Sequence, residues 1–384
     1  MPTDVSSFKN VYKQSIDSNF PDNISLKIGN QELKFKAVPY QLRYGTNPNQ
    51  PFSAYAPIVN SNLSLGNLEI LKGGKSGLSL TNLQDMSQAL NILKYFNKPS
   101  CVVMKHVNPC GFKIQTKSES LTKIYKIARN CDSRSAFGSI VGFNTKVDKD
   151  TALAIMESFV EGVIAIDYDE EALEILKQNE GTKKLNNSIR VIKVSNINKI
   201  PKYIGDDTSG YYNLRNLADG SITIETPYLT SIKSTKDFII DPMIPNKDES
   251  KNNGNDFIIK RNPTNDELFN CLIAWYINIS VRSNGIVFVK DGTAIAVGTG
   301  EQERIGAIEQ AIDKAIKKGH NLKDSVMSSD AFFPQRDSID TIAKYGVTAV
   351  VWPAGSIRDY EIIEAANEHN IALIATLERC FLHI

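Results

Sequence analysis

The sequence has no excess of either charge: 44 basic residues stand against 43 acidic ones, a formal net charge of +1. That balance argues against nucleic acid or an anionic membrane surface as the main partner, so an anionic ligand has to be met by local donors. No segment approaches the roughly 18 consecutive apolar residues needed to span a bilayer, and the opening MPTDVSSFKNVYKQ has no apolar signal region. We therefore expect a cytoplasmic protein without a membrane partner. Cysteine is scarce and odd in number. Cys101, Cys110, Cys131, Cys271 and Cys380 are widely spaced and mostly within apolar runs, which favours buried reduced thiols over a disulfide framework. A zinc-deaminase signature needs H-x-E and P-C-x-x-C; Pro109-Cys110 is followed by Gly111 and no cysteine pair, so zinc is not expected. The phosphate loop GxxxxGK[ST] is also missing, and the Gly298-Thr299-Gly300 turn runs into Glu301 and Glu303, whose carboxylates would repel a phosphate.

What is present is the pattern of an α/β protein. A length of 384 residues allows two or three domains, and 41% hydrophobic with 23% charged residues is ordinary globular composition. Residues 1–40 form an N-terminal segment whose ISLKIGNQELKFKAV predicts a hairpin turning at Gly29-Asn30. Residues 41–200 read as a first α/β repeat and 201–262 as a connecting segment with a polar insertion, NKDESKNNGND. Residues 263–384 read as a second repeat. Thr81 with Gln84 and Thr264 with Glu267 suggest capping boxes at two helix starts, and Asp291-Gly292 a hairpin turn. An internal echo supports duplication: DSRSAFG, helix, VIAI, helix in the first half matches SSDAFFP, helix, VTAVV, helix in the second. Two related halves make a crevice for a ligand.

One stretch organises the chemistry, PSCVVMKHVNPCG. Cys101 to Met104 predict a buried strand and Asn108-Pro109-Cys110-Gly111 a turn, so Lys105 and His106 fall at the strand's end, where open α/β sheets place working groups. A positive neighbour disfavours a second charge on the histidine ring, which suits a proton acceptor. A lysine and an asparagine amide are fitting donors to an oxyanion, and arginines can clamp a phosphate. The dispersed polar set is Arg43, Tyr44, Asn82, Lys105, His106, Glu161, Ser283, Asn284, Arg304, Asp330, Arg336, Arg379 and His383. It suits acyl transfer to a phosphate-bearing substrate, and the residues alone carry the reading no further.

The ordered motifs LRYGTNPNQ, LSLTNLQD, VVMKHVNPCG, SRSAFGSIVGFN, RSNGIV, SSDAFFPQRD, YGVTAVVWPAGSIRD and ERCFLH resemble the transformylase part of the bifunctional AICAR transformylase/IMP cyclohydrolase family, over roughly residues 35–384. In that family a cyclohydrolase domain precedes LRYG, where this sequence has about 40 residues, so a stand-alone transformylase is expected. The resemblance implies a duplicated three-layer α/β/α, cytidine-deaminase-like unit with mixed sheets and no zinc. It also implies transfer of a formyl group from 10-formyltetrahydrofolate to the 5-amino group of AICAR.

Carried over by motif, Lys105, His106 and Asn284 match the catalytic residues. Arg43, Tyr44, Asn82, Gly138, Glu161, Arg304, Phe332 and Arg379 match substrate-binding positions. The family builds its sites from two subunits, implying a homodimer, and some members carry a potassium ion near the residue matching Asp330. Departures from the family pattern are Asn49, Glu303, Gln335 and Ser338, the last two near the expected folate position. Three alternatives stand beside formyl transfer from this donor: a non-catalytic AICAR-binding relative, a formyltransferase using another pterin donor, and an enzyme that also closes the purine ring.

Overall fold

The computed structural model describes residues 5, 19–58, 65–74, 76–178 and 186–383. Most of the opening stretch read above for a targeting signal therefore lies outside the described residues. The chain divides into two compact units, the first comprising 1–110 and 117–200, the second 111–116 and 201–384.

The first unit begins with a small antiparallel sheet of β1 (Asn23–Ile28), β2 (Gln31–Ala37) and β3 (Tyr55–Pro57), β1 and β2 joined through Gly29-Asn30. Its main elements are β4 (Glu69–Gly73), α1 (Leu80–Leu93), β5 (Ser100–Lys105), the first residues of β6 (Asn108–Ile114, whose 111–114 fall in the second unit), α2 (Leu121–Cys131), β7 (Ser139–Val147), α3 (Lys149–Met156), β8 (Val160–Tyr168), α4 (Glu170–Lys177) and β9 (Arg190–Lys193). β5 lies between β6 and β7. It runs antiparallel to β7, which pairs in parallel with β8, as β8 does with β9, and β4 closes the edge antiparallel to β9.

β5 is buried along its length until Lys105, which is why it reads as an unbroken apolar run: a strand covered on both faces has no polar side. Cys101 and Val103 face α2, α3 and α4 with Tyr125, Ile155, Ala172 and Phe143. The other face carries α1, so close to β7 that a side chain at Gly142 would meet Ala89 and Leu93 at 3.0–3.1 Å. The three layers follow from that two-sided burial.

The second unit starts with β10 (Asn213–Asn216) and β11 (Ile222–Glu225), an exposed two-stranded ribbon. Then come β12 (Met243–Ile244) and β13 (Phe257–Ile258), paired across the polar insertion. There follow α5 (Asn265–Asn278), β14 (Ile286–Lys290), β15 (Thr293–Gly298), α6 (Arg304–Lys317), β16 (Val326–Ser329), α7 (Asp337–Ala343), β17 (Ala349–Trp352), α8 (Asp359–Glu368) and β18 (Ala372–Ala375). β14 runs antiparallel to both β15 and β16, and β16, β17 and β18 are parallel. Phe288, Met327, Val350 and Leu373 pack with Ile308, Ile339 and Ile362 of α6, α7 and α8.

The two units thus repeat one plan: helix, antiparallel hairpin, then three helix-linked steps across the sheet. In the sequence echo the steps α3–β8–α4 and α7–β17–α8 correspond, while DSRSAFG lies just before β7 and SSDAFFP begins at the end of β16, the counterpart of β7, so those two stretches are not at equivalent places. The α5 start carries the expected capping box, Thr264 Oγ1 accepting from the Glu267 N–H and the Glu267 carboxylate accepting from the Thr264 N–H. At α1 the box is two residues earlier than expected: Ser79 caps and Asn82 answers it, because the helix begins at Leu80 and not beyond Thr81. All five cysteines are free, and four of them buried. Among the described residues no helix is long and apolar enough to cross a membrane.

Candidate functional site

The first unit gathers its polar residues at the N-terminal end of α1 and the end of β5. The backbone of Arg43 and Tyr44 is pinned there, the Arg43 N–H donating to the Leu78 carbonyl at 2.9 Å and the Leu80 N–H to the Tyr44 carbonyl at 3.1 Å. The Arg43 guanidinium lies 4.6 Å from the Tyr44 ring centroid and donates to its hydroxyl at 2.5 Å. Asn82, buried, accepts the Ser79 N–H with its side-chain oxygen, so its role at this helix mouth is partly structural.

Lys105 ends β5 and its Nζ donates to the Gly138 carbonyl at 2.5 Å. Gly138 has a φ of +70°, and a Cβ there would come within 3.0 Å of Phe159 and 3.1 Å of Lys105 Nζ, so only glycine gives the lysine this berth. His106 follows in the turn and is exposed.

The turn itself is not where the residues predict it. Asn108, Pro109, Cys110 and Gly111 belong to strand β6, and the chain reverses at His106 and Val107, both with positive φ.

Two residues of this cluster escape sequence reasoning. Asp85, one helical turn beyond Asn82, accepts the Val107 N–H at 2.6 Å. Burial pushes its carboxyl up to about 6, against the downward pull of the Val107 hydrogen bond and of the charges on His106 and Lys105; Glu161 adds to the rise. With the folded value above the ordinary one, this group favours the folded state at low pH and withdraws that support as pH rises through about 6.

Arg190, at the start of β9, donates from Nε to the Gly77 carbonyl at 2.8 Å and pairs with Glu161 at 3.3 Å. Burial lowers its pKa, Glu161 raises it, and the Arg43 guanidinium lowers it again. Asp85 lies within the LSLTNLQD motif at helical spacing from Asn82, a signal that was available. Nothing in SIRVIK marks Arg190, whose partners are more than 25 residues away in sequence. Arg190→Met is expected to destabilise the protein by about 2 kcal/mol in urea unfolding, because it strands the Gly77 carbonyl and the Glu161 carboxylate. A shift below about 0.5 kcal/mol would make the brace dispensable.

The second unit makes its own cluster where β14, α6 and the C-terminal segment meet. The Asn284 side chain donates to the Glu301 carbonyl at 2.8 Å. The Ser283 N–H donates to the Leu382 carbonyl at 2.9 Å, and the Cys380 N–H to the Asp330 carbonyl at 3.0 Å, which lays residues 379–383 beside Asn284. Arg304, the first residue of α6, forms an ion pair with Asp330, both buried, and the other Asp330 oxygen accepts the Gly285 N–H at 2.8 Å. Phe381 lies between two guanidinium groups, 5.8 Å from Arg304 and 4.9 Å from Arg379. Phe332 is exposed, two residues from Asp330.

Arg336 is committed elsewhere, to Asp340 at 2.9 Å and to Glu368, tying α7 to α8. Ser338 is buried within α7 while Gln335 is exposed, so of the two departures only Gln335 presents its side chain outward.

Each unit therefore holds one part of the expected residue set. The first has Arg43, Tyr44, Asn82, Lys105, His106, Gly138 and Glu161; the second has Asn284, Arg304, Asp330, Phe332 and Arg379. A histidine beside a lysine in the first unit, and an amide and two arginines in the second, are residue types that a general-base acyl transfer to an anionic substrate can use.

A family profile described as "AICARFT/IMPCHase bienzyme" matches residues 5–314. The chain is 35% identical over 372 residues to the bifunctional purine biosynthesis protein PurH of Persephonella marina, covering 97% of this chain and 63% of that protein. The PurH proteins of Caldicellulosiruptor saccharolyticus and Aquifex aeolicus are each 35% identical, over 96% and 91% of this chain and 62% and 61% of theirs. The chain thus spans a little under two thirds of the length of these curated relatives. A solved Thermotoga maritima diaminohydroxyphosphoribosylaminopyrimidine deaminase/5-amino-6-(5-phosphoribosylamino)uracil reductase shares 28% identity over 26% of this chain and 32% of its own. Its TM-score of 0.22 is too slight a likeness to bear on the fold.

Proposed function

The chain belongs to the AICARFT/IMPCHase bienzyme family, and from that premise we propose that it transfers a formyl group from 10-formyltetrahydrofolate to the 5-amino group of AICAR, giving formyl-AICAR for purine synthesis. The observation that carries the reading is the placement of His106 and Lys105 at the open end of β5, with Lys105 held by Gly138.

The 5-amino group is a weak nucleophile, so removing its proton as it attacks the formyl carbon is the step that needs help. His106 takes that proton. The formyl oxygen becomes an oxyanion in the tetrahedral adduct, and Lys105 and Asn284 are the donors that stabilise it. As the adduct collapses, the bond from the formyl carbon to the folate N10 breaks and that nitrogen leaves with the proton that His106 took, which returns the histidine to its starting state. Arg43, Tyr44 and Arg379 hold the nucleotide, its phosphate gripped by the two arginines, and Asn82, Gly138, Glu161, Arg304 and Phe332 line the remainder. A homodimer completes each site. Gln335, an exposed departure from the family pattern, sets the shape offered to the folate. That departure is the ground for keeping a different pterin donor as the second reading.

A potassium ion at Asp330 has to share a carboxylate whose oxygens already accept from Arg304 and Gly285. Among the buried side-chain oxygens of the described residues, Asn278 Oδ1 has no hydrogen-bond partner. The proposed chemistry gives the cation no step.

Purified protein with AICAR and 10-formyltetrahydrofolate should yield formyl-AICAR by chromatography. AICAR binding without product would leave a non-catalytic relative, and IMP as product would mean ring closure as well. Arg379→Ala should raise KM for AICAR about tenfold or more with kcat changed less than about threefold, since a phosphate grip acts on ground and transition states alike. A fall in kcat with KM unchanged would assign Arg379 to the transition state instead.

A further inference from the structure

Between β5 and β6 the chain turns in two residues, His106 with φ 54° and Val107 with φ 66°. Positive φ at both central positions is the type I′ geometry of two-residue hairpins, whose usual occupants are Asn-Gly. Histidine is among the residues that tolerate the left-handed region; a β-branched valine is among those that tolerate it least. A turn so disfavoured by its own residues persists only where surrounding structure holds it, and such strain gathers at functional sites.

The holding group is on α1. Asp85 Oδ1 accepts the Val107 N–H at 2.6 Å, and Asp85 is only 5% exposed on a helix whose neighbouring Met86 is fully buried. Its carboxylate is therefore set by the helix and not free to follow the turn. The grip of Asp85 on the histidine passes through the backbone of the next residue, Val107.

We propose that Asp85 is the positioning residue for the proton acceptor: by accepting the Val107 N–H it locks the His106–Val107 turn in the left-handed form that presents the His106 ring. This rests on the formyl-transfer reading. It adds to that reading a residue on another element that decides whether the histidine is aimed.

Asp85→Ala removes the acceptor, and Asp85→Asn keeps a carboxamide oxygen able to take the same N–H. The expected result is a kcat lowered about 30-fold in Asp85→Ala with KM for AICAR within about twofold, and kcat restored to within about fivefold of the parent in Asp85→Asn. Thermal unfolding checks that both variants are folded. Amide hydrogen exchange read at Val107 should speed up at least about tenfold in Asp85→Ala and stay near the parent rate in Asp85→Asn. Unchanged exchange at Val107 overturns the proposal, as does an unchanged kcat in Asp85→Ala. Equal loss of kcat in both variants also overturns it, because that would assign the effect to charge. If the parent protein itself shows no formyl transfer, the functional reading fails, and the exchange measurement still decides whether Asp85 holds the turn.

Discussion

His106→Ala is expected to lower formyl transfer by about 10²- to 10⁴-fold, the span that a positioned general base supplies, while AICAR affinity stays within about threefold. The affinity is spared because the proposed grip on the nucleotide lies with Arg43, Tyr44 and Arg379. His106 is exposed at the tip of a hairpin, and the proposed step asks it only to take the departing proton. Lys105 is no substitute. Its ammonium has protons to give and no lone pair to receive one, and it is fastened to the Gly138 carbonyl. Alanine tolerates the left-handed φ poorly, so His106→Asn is the cleaner variant: asparagine accepts that conformation and offers no base. Both should be nearly inactive, with AICAR binding followed by calorimetry. Residual activity within tenfold of the parent in His106→Asn would take the proton-acceptor role away from this residue.

How legible this arrangement is depends on the range of the interactions involved. The strand Cys101–Met104 and the polar residues at its end can be read from the chain, because two-sided burial leaves an uninterrupted apolar run. The reversal that follows cannot. Asn-Pro-Cys-Gly carries far stronger turn chemistry than His-Val, and local preference places the turn there. The structure overrides it through Asp85, more than twenty residues away, and through pairing that draws Asn108 and Pro109 into β6. The capping box at Thr264 and Glu267 is legible because both partners lie within one turn. The one at Ser79 and Asn82 competes with an equally plausible Thr81 and Gln84, and nothing local separates them.

Duplication is visible as an echo of sequence and then as the same strand order in both units. The charged side chains are the least legible part. Arg190 and Arg336 are both arginines near element ends, yet one braces Glu161 inside the first cluster and the other ties α7 to α8. Only the tertiary partners distinguish them.

Breaking the Arg304–Asp330 pair is expected to give the largest stability loss in the second unit. Asp330 is fully buried and Arg304 is 7% exposed, so removing either leaves an uncompensated charge without water. Truncations of that kind cost about 3–5 kcal/mol. Asp330→Ala also strands the Gly285 N–H, which donates to the carboxylate at 2.8 Å. Arg304→Met leaves the carboxylate with that single donor. The double variant has no stranded charge, so its loss should fall short of the summed single losses by about 2 kcal/mol or more, read as a coupling energy from urea unfolding. Single losses below about 1 kcal/mol that simply add would show the pair to be independent.

The same cycle separates two jobs for Arg304. As a residue that only lines the nucleotide site, its replacement would raise KM for AICAR and leave unfolding untouched. As the counter-charge of Asp330, it holds β14, the start of α6 and the Cys380 backbone in one place, since the Asp330 side chain and carbonyl accept from Gly285 and Cys380. Arg379 directly precedes Cys380, so loosening that anchor should weaken the phosphate grip proposed for Arg379, with no substrate contact assigned to Asp330 itself. Asp330→Ala should therefore raise KM for AICAR as well as lower stability. The rise should disappear on top of Arg379→Ala, whose own loss already removes that grip.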